Sequence, residues 1–316
     1  MSRNAIAGGI VWIGLAAATR LQWAHLNTIE LLFLLGPLVV VPLGLELCAR
    51  STDGDRAGLS FRISQRILLP AALCVTASFW FQQGIAATAF VLPWFGFGCF
   101  IGIRGLAKLF RGESKSLKTA CTIVSFLYLP VGCAWLIASR VGLNPMGFQE
   151  PIVLLTAVHF HFAGFGAPLL ALAAESSIKN KSVFLQRIFK VVAVGVLAGS
   201  GLLAAGFVIG PRLKLAAALV VASSEIGLAM FFLAGVRAMR PRLSQALIVV
   251  SAASVLFAMV LAGVWAIGEF PLQPFVHLDE MARLHGTANS LGFILCGLVG
   301  WTISFQSPPR LKGGEE

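Results

Sequence analysis

Long apolar runs alternate with short polar, mostly basic segments along the whole chain. Ten runs stand out, over residues 4–19, 28–48, 66–83, 85–107, 117–139, 151–174, 189–210, 214–236, 245–267 and 284–306. A helix rising 1.5 Å per residue needs about 20 residues to cross a ~30 Å hydrocarbon core, and all but the first run approach or exceed that length. In lipid only a segment that satisfies its own backbone groups is stable, so apolar runs of this size read as helices. The pattern predicts an all-α fold, a polytopic transmembrane bundle of about ten spans. It reads as a single integral membrane domain over 1–316, with no room for a folded soluble domain. Only Gln82-Gln83-Gly84 separates the third run from the fourth, which predicts a tight helical hairpin.

Charge orients the spans. Alternating them from an N-terminus inside puts nineteen of the 24 basic residues on the inner side. Five fall outside: Arg20, Arg140, Arg212, Lys214 and Arg283. The positive-inside rule therefore predicts two cytoplasmic termini. The overall composition, 58% hydrophobic and 12% charged with a mean hydropathy of +0.87, excludes a soluble enzyme. In that setting the net charge of +11 signals orientation and contact with anionic membrane lipids, and no nucleic-acid partner is expected. Six scattered cysteines with no CxxC spacing read as small apolar packing residues, not as a disulfide or zinc framework. The first run, preceded by Arg3, lacks a cleavage signal and reads as a retained helix.

Against this apolar background the intramembrane polar residues mark candidate chemistry, because each is expensive at that depth. The sixth run carries His159 and His161 within Leu154–Leu170. Two residues apart on a helix, they face nearly opposite sides, so they suit two neighbours better than one shared metal. Glu225 lies about 16 Å below the start of the eighth run, and His161 about 15 Å below Pro151, so the two are level. Ser223 and Ser224 stand beside Glu225 as hydrogen-bond partners for it. In the tenth run His285 and Asn289, four apart, share a helix face. His285 is expected to open that helix, with Asp279 and Glu280 as a solvated start to it. All five histidines fall on the outer half, and His25 and Glu30 flank the outer end of the second span. His159, His161, Glu225, His285 and Asn289 are thus the candidate catalytic set, drawn as one outward-opening pocket. Because the two sixth-run histidines diverge, only one of them is expected to reach the reacting centre. The plainer reading is that these groups serve as hydrogen-bonded packing between helices.

Two segments, AVHFHFAGFGAPLL and MARLHGTANSLGF, resemble the YndJ-like family of bacterial integral membrane proteins. His159, His161, Gly164 and Phe165 match the first motif; His285, Gly286, Asn289, Gly292 and Phe293 match the second. The resemblance covers the C-terminal two-thirds best. It implies a helical membrane fold in the bacterial inner membrane and a pair of motifs, not a reaction. The His-Phe-His triplet is also similar to the haem-ligand helix of haem–copper oxidases. This chain has no adjacent His-His pair and a single tyrosine, Tyr128, so a copper–oxygen site is not expected. A b-type haem held by His285 with His159 or His161, or a bound metal, is disfavoured too, and no cofactor is predicted.

Three functions compete on these residues. The first is a membrane-embedded enzyme applying acid/base chemistry to a hydrophobic small-molecule substrate, isoprenoid or lipid-like, with some of the 24 phenylalanines lining its pocket. The second is a proton-coupled secondary transporter using Glu225 and the histidines as a relay. The third is a haem or metal protein. A polar cargo needs more hydrogen-bonding groups along its route than this chain offers, which favours the first. The short likeness between His161-Phe-Ala-Gly-Phe165 and Asn289-Ser-Leu-Gly-Phe293 is too slight to define an internal repeat.

Overall fold

The structure, a computed structural model, describes residues 2–51, 58–113, 116–178, 180–269 and 277–306. Among them are ten helical rods and no strand: α1 Arg3–Arg20, α2 Thr28–Ser51, α3 Leu59–Ser78, α4 Ile85–Phe110, α5 Leu117–Val141, α6 Ile152–Glu175, α7 Val183–Ile209, α8 Pro211–Ala238, α9 Arg242–Glu269 and α10 Leu278–Ser304. Eight of the ten are long and apolar enough to cross a membrane, the exceptions being α1 and α3. The expected helical bundle is therefore present.

Polar residues fix where the rods begin. Ser2, Ser116 and Ser182 accept backbone N–H groups at the starts of α1, α5 and α7. Asn27 and Glu30 close a reciprocal capping box at the start of α2, with both bonds 2.9 Å. The hairpin between α3 and α4 turns at Gly84, whose φ of +144° suits glycine. The Gly84 N–H donates to Arg140 O at 2.8 Å, and the Arg140 guanidinium donates to the carbonyls of Ser78 and Phe81. One buried arginine on α5 thus binds carbonyls at the end of α3 and just beyond it.

Several rods outrun their apolar cores. α3 starts seven residues before the predicted 66, α7 six before 189 and α10 six before 284. The added turns hold Arg62, Arg187 and the LDEMAR segment, polar stretches that continue a helix at the interface without adding to its apolar length. His285 consequently lies two turns inside α10 instead of opening it. The segment between the ninth and tenth runs falls partly on residues 270–276, which lie outside the described residues.

α2 is the hub. Within its most apolar stretch 89% of residues are buried, and in α6 72%, against 33–50% for the other six spans. Both central helices widen at mid-depth into a π-helical turn, Gly36–Val40 in α2 and Phe160–Gly166 in α6, and α10 does the same over Ala288–Leu295. These three turns touch one another. Gly36 makes the approach feasible: a Cβ there would sit 3.3 Å from His161 Cβ.

Neighbouring helices supply partners for backbone groups around these distortions. Ser251 of α9 donates to Phe293 O at 2.7 Å, and Ser244 donates to Gly300 O at 2.7 Å. The single tyrosine acts similarly on α7. Tyr128 Oη donates to Leu197 O at 3.1 Å and accepts from Gly201 N–H at 3.0 Å, standing inside the bond those two groups would otherwise share.

Ten alternating rods return the chain to the side on which it began, as the Asn4–Gln65 and Ser244–Gly300 hydrogen bonds between like ends require. With the native cysteines replaced by alanine, Leu143→Cys should react with a membrane-impermeant maleimide in intact cells. Phe110→Cys and Phe184→Cys, exposed at the opposite ends of their helices, should react only after lysis. The reverse pattern overturns the orientation.

Candidate functional site

Five helices, α6 to α10, enclose a cavity of about 590 Å³ in the outer half of the bundle. Its size suits a small-molecule site. Each wall is one helix face: on α8, Pro211, Lys214, Leu215, Ala218, Val221 and Glu225; on α7, Ser200, Leu203, Ala204 and Phe207. On α10 the stripe runs from Leu278 through Met281, His285 and Asn289 to Phe293. Lys214, Trp265 and His277 lie at the outer end. Further polar groups line the wall at greater depth, His159 and His285 about two turns in and Ser200, Asn289, Ser290 and Glu225 deeper, among mainly aliphatic side chains.

Four of the five expected residues therefore share this cavity: His159, Glu225, His285 and Asn289. The fifth, His161, does not line it. Fully buried on the far side of α6, its ring lies against Trp94 and edge-on to Phe33. Trp94 Nε1–H donates to His161 Nε2 at 3.1 Å, and an indole can only donate, so Nε2 carries no proton. Nδ1 therefore bears it, donating to Ala157 O at 2.8 Å. Both ring nitrogens are used, the imidazole is neutral, and the group ties α6 to α4. The divergence of two residues spaced by two is what sends His159 and His161 to different environments.

His285 is likewise held on both sides. Its Nδ1–H donates to Ala258 O on α9 at 2.9 Å, and its Nε2 accepts from Asn289 Nδ2 at 2.9 Å. Asn289 orients the ring through the shared helix face, and the ring in turn bridges α10 to α9. Three other groups differ: His159 Nε2, Ser200 Oγ and Glu225 Oε2 are buried with no hydrogen-bond partner. Glu225 is only 5% exposed and Ser200 3%. A polar atom that is buried and unpaired costs roughly 1–3 kcal/mol, so three of them around one cavity, on α6, α7 and α8, are a collective penalty that a ligand or water in the cavity would remove.

Ser223 and Ser224 do not support Glu225. Both hydroxyls turn back to Val220 O, at 3.0 and 2.8 Å, the usual choice for a serine within a helix that lacks a better acceptor. His25 is exposed in the first outer loop and Glu30 is engaged in its capping box, so neither lines the cavity. Ser200 is the cavity residue that pattern reading passed over. Its signal was available: a lone hydroxyl between Gly199 and Gly201 in the middle of an apolar span.

A family profile described as YndJ-like protein matches residues 31–293. The chain belongs to the YndJ-like family. It is similar to the uncharacterized membrane protein YndJ of Bacillus subtilis (strain 168), at 25% identity over 314 residues, which is 98% of this chain. That alignment covers 54% of the relative, so this chain spans about half its length. No solved structure matches significantly. The localisation is thus a multi-pass membrane one. The two motifs that carried the family resemblance coincide with two of the three π-helical turns, Phe160–Gly166 and Ala288–Leu295. In both, the glycine seats a neighbour (Tyr128 against Gly164, Ser254 against Gly292) and the phenylalanine that follows is buried.

Among the described residues no group of three or more His, Cys, Asp or Glu side chains is arranged to hold a metal ion. A haem bound through His285 would have to displace Asn289 or Ala258 O from its ring.

The tie between α6 and α4 predicts a stability effect confined to that pair. His161→Ala and Trp94→Phe should each lower thermal stability, with an interhelical hydrogen bond accounting for about 0.6–1.7 kcal/mol of the loss. A double-mutant cycle should return a coupling of that order. Independent, additive losses would show that the Trp94–His161 bond contributes nothing to the fold.

Proposed function

We propose that this YndJ-like protein is a membrane-embedded enzyme that applies acid/base chemistry to a hydrophobic, isoprenoid- or lipid-like substrate held in the outer cavity. The observation that carries this reading is the trio of unpaired polar atoms, His159 Nε2, Ser200 Oγ and Glu225 Oε2, in the lining of a mainly apolar cavity. An aliphatic wall selects an apolar body and excludes most polar solutes, while the trio offers hydrogen-bonding partners to the polar or reacting groups on it. His159 and Glu225 are the proton-transferring residues, since each presents a heteroatom that no protein group engages. Ser200 supplies a hydrogen bond to the same group. His285 and Asn289 are positioning residues: their mutual bond, anchored on Ala258 O, fixes the α10 wall opposite. His161 contributes to the frame and not to the chemistry.

The packing below the cavity favours this reading over transport. The inner halves of α2 and α6, including Leu169, Leu170, Ala171 and Ala173, are fully buried against each other and their neighbours. No chain of polar side chains continues from Glu225 along them.

The test compares the molecules that co-purify with three proteins in mild detergent, read by mass spectrometry of an organic extract. Glu225→Gln preserves shape and hydrogen bonding but removes the titrating proton, which should slow the step by about 10²–10⁴-fold. It should retain an unprocessed hydrophobic species that the parent protein does not accumulate. Ala218→Trp, which fills the cavity, should retain neither. The same species in the same amount from all three proteins overturns the proposal. A second expected outcome is a visible spectrum without a Soret band; stoichiometric haem would overturn a cofactor-free mechanism.

A further inference from the structure

The charge distribution within the cavity narrows the class of ligand. Glu225 is the sole acidic side chain on the wall among the described residues, and its Oε2 meets no donor. Lys214 is the sole lysine or arginine there and stands at the opposite, outer end, eleven residues up the same helix. At 1.5 Å per residue that is about 16 Å from Glu225, beyond a Debye length even in water at physiological salt. Of the histidines beside it, His285 is held neutral in its present bonds, since Nε2 accepts a hydrogen bond, and His159 Nε2 has no partner and so makes no ion pair with Glu225. Phe160, Phe162 and Phe293 add ring surface to the lining. An acid without a counter-charge, in an apolar and aromatic chamber, is complementary to a cation that carries its own hydrophobic body. Such a ligand would give Glu225 a charge-assisted hydrogen bond and would meet the phenylalanine faces as a cation–π partner. A neutral alcohol would satisfy only the hydrogen bond.

We infer that the cavity selects hydrophobic amines, bound with the ammonium against Glu225 at the inner end and the apolar body toward the mouth. This inference rests on the cavity being the ligand site, as proposed above, and adds the charge of what it takes. The amine enters nitrogen-first and forms an ion pair that the chain does not complete by itself.

The experiment uses the full chain in lipid nanodiscs, with binding to protein-free nanodiscs subtracted. The probes are 4-phenylbutylamine and 4-phenylbutanol, matched in body and differing in the terminal group. The parent protein should bind the amine at least about tenfold more tightly than the alcohol, and Glu225→Gln should bring the two within about threefold of each other. Retained alcohol binding shows that the Glu225→Gln variant is folded. Ala218→Trp should abolish binding of both. Equal affinities in the parent, or an amine preference that survives Glu225→Gln, overturn the inference while leaving the cavity reading intact. Binding of neither probe to the parent, or undiminished binding to Ala218→Trp, overturns the cavity reading and the inference with it.

Discussion

In hydrocarbon every backbone N–H and C=O must find a partner, and the central helices of this protein meet that demand in an unusual place. Three of them widen at the same depth, α2 at Gly36–Val40, α6 at Phe160–Gly166 and α10 at Ala288–Leu295, and the wide turns lie against one another. A π turn rotates everything that follows it, so the faces below and above the widened region look in different directions. In α6 this lets residues as close as Val158, Phe160 and Phe162 join Leu155, His159 and Ala163 on one cavity wall. Meanwhile His161 closes the contact to α4 behind them. The cavity and the seam that supports it are two products of the same local distortion.

Side chains absorb the cost. Hydroxyls from Ser244 and Ser251 reach carbonyls of α10, His285 reaches a carbonyl of α9, and Trp12 donates to Leu31 O at 2.8 Å. Each is an interhelical bond of modest individual worth, on the order of 0.6 kcal/mol in membrane proteins. Their value is directional. They specify which helix face meets which, in a solvent where apolar contact alone would leave many rotations nearly equal in energy. Buried polar atoms without a partner occur elsewhere too, on Gln65, Glu175, Trp301 and Thr302, but those of His159, Ser200 and Glu225 are informative because all three belong to the lining of one cavity.

Much of this was legible in the sequence. Apolar length and the sidedness of lysine and arginine gave ten rods in alternation, since burial in lipid writes directly into composition. The cost of intramembrane polarity singled out His159, Glu225, His285 and Asn289, and 100° per residue separated His159 from His161. The rest depended on terms that a linear pattern does not carry. Polar interfacial turns extend α3, α7 and α10 beyond their apolar cores. Widened turns look like ordinary helix in the sequence, although both family motifs fall on them. Ser200 resembles any small residue that allows close packing until its lack of a partner is seen. Whether a serine supports Glu225 or folds back on its own helix is decided by rotamer and neighbours, and there Ser223 and Ser224 went the other way.

The burial of α2 bears on how the molecule assembles. This helix is made early, yet α6 and α10, against which its wide turn rests, are made later in the same chain. Until they arrive, a helix destined for the interior must stand among lipids, with its glycine-lined contact face open. Membrane insertion and helix association are therefore necessarily separate stages for α2. Its marked apolarity, the second highest hydropathy among the eight spans after α9, suits the first stage, in which lipid is its only solvent. Gly36 and Gly44 serve the second, receiving His161 and Phe165 of α6 where any larger side chain would hold the later helix away. The centre of the bundle is thus a vacancy kept by small residues for a segment not yet synthesised.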